Sequence, residues 1–125
     1  MIALDASALL AFLFREPGHE RVAAILDTAC LSTVNLAEVI GRFVRDGHDA
    51  DQVLRRLTAT AIEIVPFAAA DAALAASLIP ATQSLGLSLG DRACLALALA
   101  RAIPAITADR VWTQLQVGVT IQLIR

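Results

Sequence analysis

Apolar residues follow two different spacings along the chain, and these spacings predict strands and helices in turn. Short apolar segments with the length of buried strands occur at residues 1–4, 30–32, 62–66, 104–107 and 119–123. Between them the apolar residues recur at helical spacing or form longer Ala-rich runs, which predict helices at residues 7–15, 19–28, 35–45, 51–60, 70–78 and 90–102. A loop is expected at residues 83–86 and a helical turn at 110–112.

Strands that alternate with helices predict an α/β fold with a mainly parallel central sheet and helices on both faces. The 125 residues are enough for one such domain and too few for two, so we expect a single domain over residues 1–125. In open α/β sheets, ligands bind beyond the carboxyl ends of the strands. Functional residues are therefore expected at the carboxyl edge of the sheet.

Composition narrows the class of protein. Hydrophobic residues make up 58% of the chain, yet no apolar stretch approaches the roughly 18 residues that a membrane span needs. The amino-terminal segment contains Asp5 and has no basic residue before its apolar stretch, so a signal peptide is not expected. The predicted location is the cytoplasm, with no membrane partner. Cys30 and Cys94 are too few and too distant in sequence for a disulfide framework or a zinc site.

The charge pattern is informative about nucleic acids. A net charge of −2 argues against broad, nonspecific binding to a polyanion. All ten basic residues are arginine, however, and none is lysine. The guanidinium group is the side chain best suited to bidentate contacts with the phosphates of a nucleic-acid backbone.

Four acidic residues stand next to apolar segments: Asp5, Glu38, Asp91 and Asp109. Asp5 and Asp109 each follow a predicted strand, whereas Glu38 and Asp91 fall in the first turn of predicted helices. All four are thus expected at the carboxyl edge of the sheet. Carboxylates beside buried apolar structure are costly unless something compensates them. A hard divalent cation would do so, and phosphodiester hydrolysis is the chemistry that such a site suggests.

Each acid also has a structural explanation as a helix cap. Glu38 and Asp91 follow an Asn or a Ser by three residues, which is the spacing of a capping box. Asp5 and Asp109 are in position to cap the helix or turn that follows them. Because all four acids are expected at the same edge of the sheet, we interpret them together as a metal site.

The acids lie in four short motifs whose order resembles that of the PIN-domain ribonucleases, and most closely the toxins of VapBC-type toxin–antitoxin pairs. The motifs are residues 4–10 (LDASALL), 35–39 (NLAEV), 89–96 (LGDRACLA) and 107–110 (TADR), the last followed by Trp112. The resemblance covers essentially the whole chain. No motif departs from the family pattern at an acidic position.

The resemblance implies a Mg²⁺- or Mn²⁺-dependent endoribonuclease that a cognate antitoxin protein holds inactive. It further implies a homodimer and a structured RNA substrate, such as tRNA or a loop of ribosomal RNA. The all-oxygen character of the four acids also favours Mg²⁺ or Mn²⁺ over softer ions.

Specific roles are assigned to seven residues. Asp5 and Asp91 are assigned as direct metal ligands, while Glu38 and Asp109 bind the metal or order its water; either of the latter two is a candidate general base. Thr107 is a candidate for supporting a metal ligand. Arg92 and Arg110 are candidates for contacting substrate phosphates. For both arginines an ion pair with the acids is the competing role.

Three other functions compete with the toxin hypothesis. A PIN-like nuclease of RNA processing would share the same acids and lack an antitoxin. A receiver-like signalling domain also gathers acids around Mg²⁺, but its chemistry needs a lysine that this chain does not have. A noncatalytic interaction domain would have no need for all four acids.

Overall fold

A computed structural model describes the whole chain, residues 1–125. The five strands are β1 (Ile2–Leu4), β2 (Ala29–Ser32), β3 (Glu63–Val65), β4 (Ala105–Thr107) and β5 (Ile121–Leu123). The seven α-helices are α1 (Ala6–Leu13), α2 (His19–Ala23), α3 (Thr33–Arg45), α4 (Ala50–Thr58), α5 (Ala69–Ser77), α6 (Ile79–Thr82) and α7 (Leu89–Arg101). Short 3₁₀ turns cover Leu26–Thr28, Gln83–Leu85 and Arg110–Gln114.

The strands form one sheet in the order β3-β2-β1-β4-β5, and every neighbouring pair is parallel. The predicted fold class is confirmed, with a sheet that is wholly parallel rather than mainly so. The strand order changes direction between β1 and β4. Just beyond the paired residues, the Asp5 N–H donates to the Ile106 carbonyl at 3.0 Å, which holds the carboxyl ends of these two strands together. This switch point is where a parallel α/β sheet opens a crevice for a ligand.

Two apolar clusters cover the two faces of the sheet. One joins α1 and α3 to the strands through residues such as Leu9 and Val39, both fully buried. The other packs α7, through Leu95, and the 3₁₀ turn Arg110–Gln114, through Trp112, against the opposite face. Both α3 and α7 have 13 residues, and no helix in the chain is long and apolar enough to span a membrane.

Two local predictions are wrong. The helix expected over residues 19–28 ends at Ala23 and continues as a 3₁₀ turn, because the chain has to enter β2 at Ala29. The loop expected at 83–86 is also a 3₁₀ turn, preceded by the short helix α6, which was not predicted. Pro80 lies in the first turn of α6, where the missing N–H of proline costs no helical hydrogen bond.

Candidate acidic active site

Asp5 lies at the switch point, directly after β1, and only 3% of its surface is exposed. Its Oδ2 atom accepts two hydrogen bonds, from Ser7 Oγ at 2.5 Å and from Thr107 Oγ1 at 2.8 Å. Oδ1 accepts none from the protein. Although Asp5 occupies the N-cap position of α1, its side chain makes no capping bond. The cap explanation for this residue is therefore wrong.

The environment of Asp5 raises its pKa from 3.8 to about 6. Burial is the main cause, because it removes the charged form from water. The hydrogen bonds from Ser7 and Thr107 oppose the shift, since they favour the carboxylate, and the nearby charges of Asp91 and Glu38 add to it. Asp5, Asp91 and Glu38 therefore share one electrostatic environment.

Glu38 reaches this environment from the second turn of α3, not from the first turn as predicted. The helix begins two residues earlier than expected, at Thr33, and Ser32 is its cap through a bond from the Val34 N–H. The capping-box explanation for Glu38 is wrong as well. Its Oε1 atom instead accepts a 2.9 Å hydrogen bond from the side-chain amide of Asn35.

Asp91 lies in the first turn of α7, as predicted, and it forms a true capping box with Ser88. Asp91 Oδ2 accepts from the Ser88 N–H at 2.8 Å, and Ser88 Oγ accepts from the Asp91 N–H at 3.2 Å. The residue is half-buried and its charge acts on Asp5. The Asp91 side chain thus caps α7 and also acts electrostatically on Asp5.

Asp109 is exposed and caps the 3₁₀ turn after β4, where its Oδ1 accepts from the Val111 N–H at 3.0 Å. Its own N–H donates to Thr107 Oγ1 at 3.1 Å, so a chain of hydrogen bonds leads from its backbone to Asp5. Asp109 is not among the charges that shift the pKa of Asp5. The structure brings three of the predicted acids into electrostatic contact and leaves the fourth at the margin.

No cation balances these acids. None of the four ion pairs of the chain includes Asp5, Glu38, Asp91 or Asp109. The guanidinium of Arg92 donates to the Leu87 carbonyl at 2.9 Å, and that of Arg110 donates to the Arg125 carbonyl at 3.0 Å. No three Asp, Glu, His or Cys side chains of the chain form a ready-made cluster of metal ligands.

Three residues of the site were missed as contributors. Ser7 lies in the first motif but was given no role, yet its hydroxyl donates to Asp5 and accepts from the Ala108 N–H at 3.0 Å. Asn35 and Gly90 were noted only within motifs, although both contact Glu38. Ser7 lies two residues after Asp5, and Asn35 lies three before Glu38. Such short spacings allow side-chain contacts and were the available signals.

The fold and this site together describe a doubly wound α/β domain with carboxylates at its switch point. Residues 2–117 match the family described as PIN domain, and the chain belongs to that family. The predicted resemblance to PIN domains is confirmed, and the receiver-like alternative is wrong. No curated protein sequence matches the chain.

Solved structures share the fold over nearly their whole length. A toxin–antitoxin complex from Klebsiella pneumoniae has a TM-score of 0.73 at 18% identity, with 96% of each chain covered. A DNA-bound VapBC from Salmonella typhimurium has a TM-score of 0.71 at 16% identity, with 100% of each chain covered. FitAcB from Neisseria gonorrhoeae has a TM-score of 0.69 at 22% identity, over 97% of this chain and 96% of that one. Likeness at these identities establishes the common fold.

Proposed function

We propose that this protein is a Mg²⁺- or Mn²⁺-dependent endoribonuclease toxin that hydrolyses structured RNA and is neutralised by a cognate antitoxin. The observation that carries the proposal is the state of Asp5. Its carboxyl group is buried, its Oδ2 is held by two hydroxyls, its Oδ1 is free, and two further carboxylates act on it. A purely structural acid in this position would be expected to have a basic partner, and Asp5 has none.

The donor atoms fit a hard divalent ion. They are all carboxylate or hydroxyl oxygens, with no thiolate or imidazole among them, which matches the ligand preference of Mg²⁺ and Mn²⁺. Mg²⁺ usually keeps several waters and takes only one or two protein carboxylates directly. The absence of a closed cluster of three ligands is compatible with that mode of binding. Asp5 and Asp91 would hold the ion, and Glu38 would bind it or one of its waters.

When bound, the ion would polarise the scissile phosphate and lower the pKa of the attacking water. The protein would supply orientation around it. Ser7 and Thr107 hold Asp5 Oδ2 and leave Oδ1 without a hydrogen bond from the protein, so Oδ1 is the oxygen that would bind the ion. Glu38 and Asp109 are the exposed acids of the four, and either would serve as the general base that accepts a proton from water.

The substrate phosphates would meet arginine side chains next to the acids. Arg110 is exposed and binds only a backbone carbonyl, so its other guanidinium N–H groups are open to an RNA backbone. Arg92 is half-buried, with its Nε atom buried and unpaired. We therefore assign the direct phosphate contact to Arg110 and a supporting place beside the acids to Arg92.

An antitoxin segment is the proposed occupant of an apolar groove away from the acids. The groove has a volume of about 260 Å³ and is lined by residues of α1, α3, α4 and the α3–α4 turn, namely Leu13, Phe43, His48, Gln52, Val53, Arg56 and Leu57. Phe14 stacks on Phe43 at its edge with 38% of its surface exposed. Solved structures with this fold include toxin–antitoxin and VapBC complexes, which supports a protein partner here. A second copy of the chain is proposed as a further partner.

The test is RNA cleavage by the purified protein with and without metal. Cleavage is expected with Mg²⁺ or Mn²⁺ and is expected to stop in excess EDTA. Asp5→Asn should abolish it while preserving the fold. Asp27→Asn, at an exposed acid before the amino end of β2, should leave it unchanged. Full activity in EDTA would rule out the proposed mechanism, and mapping of 5′ ends after induced expression would identify the RNA.

A further inference from the structure

Gly90 lies in the first turn of α7, where glycine has no conformational role. Its φ is not positive, and among residue types only proline is less favourable inside a helix. A Cβ atom built on Gly90 would overlap the carboxylate of Glu38, with both oxygens and Cδ far inside van der Waals contact. The absence of a side chain at Gly90 is thus what lets Glu38 lie against α7, one residue before Asp91.

Asn35 holds the same carboxylate from the other side. It is fully buried, and its Nδ2 atom donates two 2.9 Å hydrogen bonds, one to Glu38 Oε1 and one to the Gly90 carbonyl. One amide group therefore ties the Glu38 side chain to the backbone of α7. If the Asn35 amide were flipped, Oδ1 would face Glu38 Oε1 and the Gly90 carbonyl, which are both acceptors. The two contacts therefore require Nδ2 at this position.

We propose that Asn35 and Gly90 form a seat that positions the Glu38 carboxylate beside Asp5 and Asp91 for metal binding. The inference rests on the proposed metal-dependent activity and adds two positioning residues to it. Neither residue is a ligand. Asn35 orients the Glu38 carboxylate through its hydrogen bond, and Gly90 leaves room for that carboxylate because it has no side chain.

A simple helix-packing role would not require this arrangement. Glu38 is exposed and its carboxylate is the far end of a flexible side chain, so it is free to extend into water. Holding it at the surface of α7, close to Asp5, brings like charges together and is unfavourable in itself. Asn35 moreover keeps Oδ1 buried with no hydrogen-bond partner, a cost that a pure packing residue would avoid. Both costs are explained if the arrangement serves a cation.

Gly90→Ala is the decisive variant because it should separate stability from metal binding. Alanine is the better helix former and Glu38 can swing aside, so the melting temperature in EDTA should equal or exceed that of the wild type. The Mn²⁺ dissociation constant measured by calorimetry should rise about 10- to 100-fold, the usual effect of disturbing a group that orients a ligand. RNA cleavage should fall accordingly and recover when Mn²⁺ is raised in proportion.

Gly41→Ala is the matched control. Gly41 is also a helix glycine, in α3, and a Cβ there would meet only Arg45 Nη1 at 3.9 Å. This variant should gain the same helical stability and keep wild-type Mn²⁺ affinity and activity. If Gly90→Ala binds Mn²⁺ as tightly as Gly41→Ala does, the seat is refuted.

Asn35→Leu tests the other half of the seat, and Val39→Ala is its control. Leucine keeps the branched shape and the number of heavy atoms and removes both donors, whereas Val39→Ala weakens the buried face of α3 and leaves Asn35 and Gly90 in place. At comparable melting temperatures, only Asn35→Leu should lose Mn²⁺ affinity. Equal losses in both variants would assign Asn35 a structural role and refute its part in the seat.

The two levels of the proposal fail in different ways. A wild-type protein that binds Mn²⁺ while Gly90→Ala and Asn35→Leu bind it equally well would overturn the seat and leave the proposed function intact. A wild-type protein that neither binds Mn²⁺ nor cleaves RNA would overturn the proposed function, and with it the metal role of the seat.

Discussion

Thr107 Oγ1 donates a 2.8 Å hydrogen bond to Asp5 Oδ2, and this bond joins the carboxyl ends of β4 and β1 across the switch point of the sheet. Both residues are buried. The same hydroxyl oxygen accepts the Asp109 N–H and lies 3.1 Å from Ser7 Oγ. A single threonine hydroxyl therefore links the buried acid of the site to the exposed acid at its margin.

Thr107→Val should weaken metal binding in a pH-dependent way. The hydrogen bond from Thr107 lowers the pKa of Asp5, so its loss should raise that pKa further above about 6. A larger fraction of Asp5 is then protonated near neutrality, and a proton competes with the metal. Calorimetric Mn²⁺ titrations at pH 6, 7 and 8 should show a deficit of about 10- to 100-fold that shrinks as the pH rises. Thr107→Ser, which keeps the hydroxyl, should bind nearly as the wild type, and a deficit independent of pH would contradict the explanation.

Asp5→Asn should be more stable than the wild type at neutral pH when metal is absent. The folded-state pKa of Asp5 is about 6 against an ordinary value of 3.8, so between these values the native state binds more protons than the unfolded state. Stability is therefore lost as the pH rises through this window, and the full penalty above it is about 3 kcal/mol. Asparagine carries no such penalty.

Denaturant unfolding in EDTA at several pH values measures this difference. The advantage of Asp5→Asn should be largest at pH 7 and should vanish near pH 4. Asp27→Asn, an exposed acid, should show no comparable trend. A difference between Asp5→Asn and the wild type that is the same at both ends of the range would mean that burial does not perturb Asp5.

Asp91→Asn and Ser88→Ala should separate the two roles of the α7 capping box. Ser88→Ala removes a helix cap and should cost about 1 kcal/mol in the free energy of unfolding, with the stabilisation by Mn²⁺ unchanged. Mn²⁺ at 100 times its dissociation constant should add about 2.7 kcal/mol to the wild type, a rise of several degrees in melting temperature. Asp91→Asn should lose most of that rise. Thermal melts in EDTA and in Mn²⁺ measure this difference. If Mn²⁺ raises the melting temperature of Asp91→Asn as much as that of the wild type, Asp91 is only a helix cap.

Val53→Glu should prevent inhibition by the antitoxin without affecting cleavage. The substitution puts a charge into the apolar groove between α1, α3 and α4, none of whose lining residues belongs to the acidic site. Burying an unpaired charge against an apolar partner segment is strongly unfavourable. Co-purification with the cognate antitoxin, followed by an RNA-cleavage assay, gives the readout. Ile79→Glu, at an exposed apolar residue of α6, should leave the complex intact, and inhibition of both variants alike would place the antitoxin elsewhere.

The sequence by itself determined the order of strands and helices and the carboxyl-edge position of Asp5 and Asp109. Both follow from local properties. Apolar spacing sets the type of each element, and a residue that follows a parallel strand has to emerge at the carboxyl edge of the sheet. Short stretches with weak periodicity were the exception. The helix that ends at Ala23 and the 3₁₀ turn at Gln83–Leu85 depend on how the chain must turn to reach its next element.

Only the tertiary structure decided the state of the acids. The pKa of Asp5 depends on segments that are distant in sequence and remove it from water, including the strand that carries Thr107 about 100 positions away. The place of Glu38 depends on the packing of α3 against α7, where Asn35 bonds the Gly90 carbonyl 55 positions further along the chain. Burial of a polar residue and contacts between distant segments leave no periodic pattern in the sequence. They arise when separate elements meet, and so the motifs identified these residues while the fold alone related them to one another.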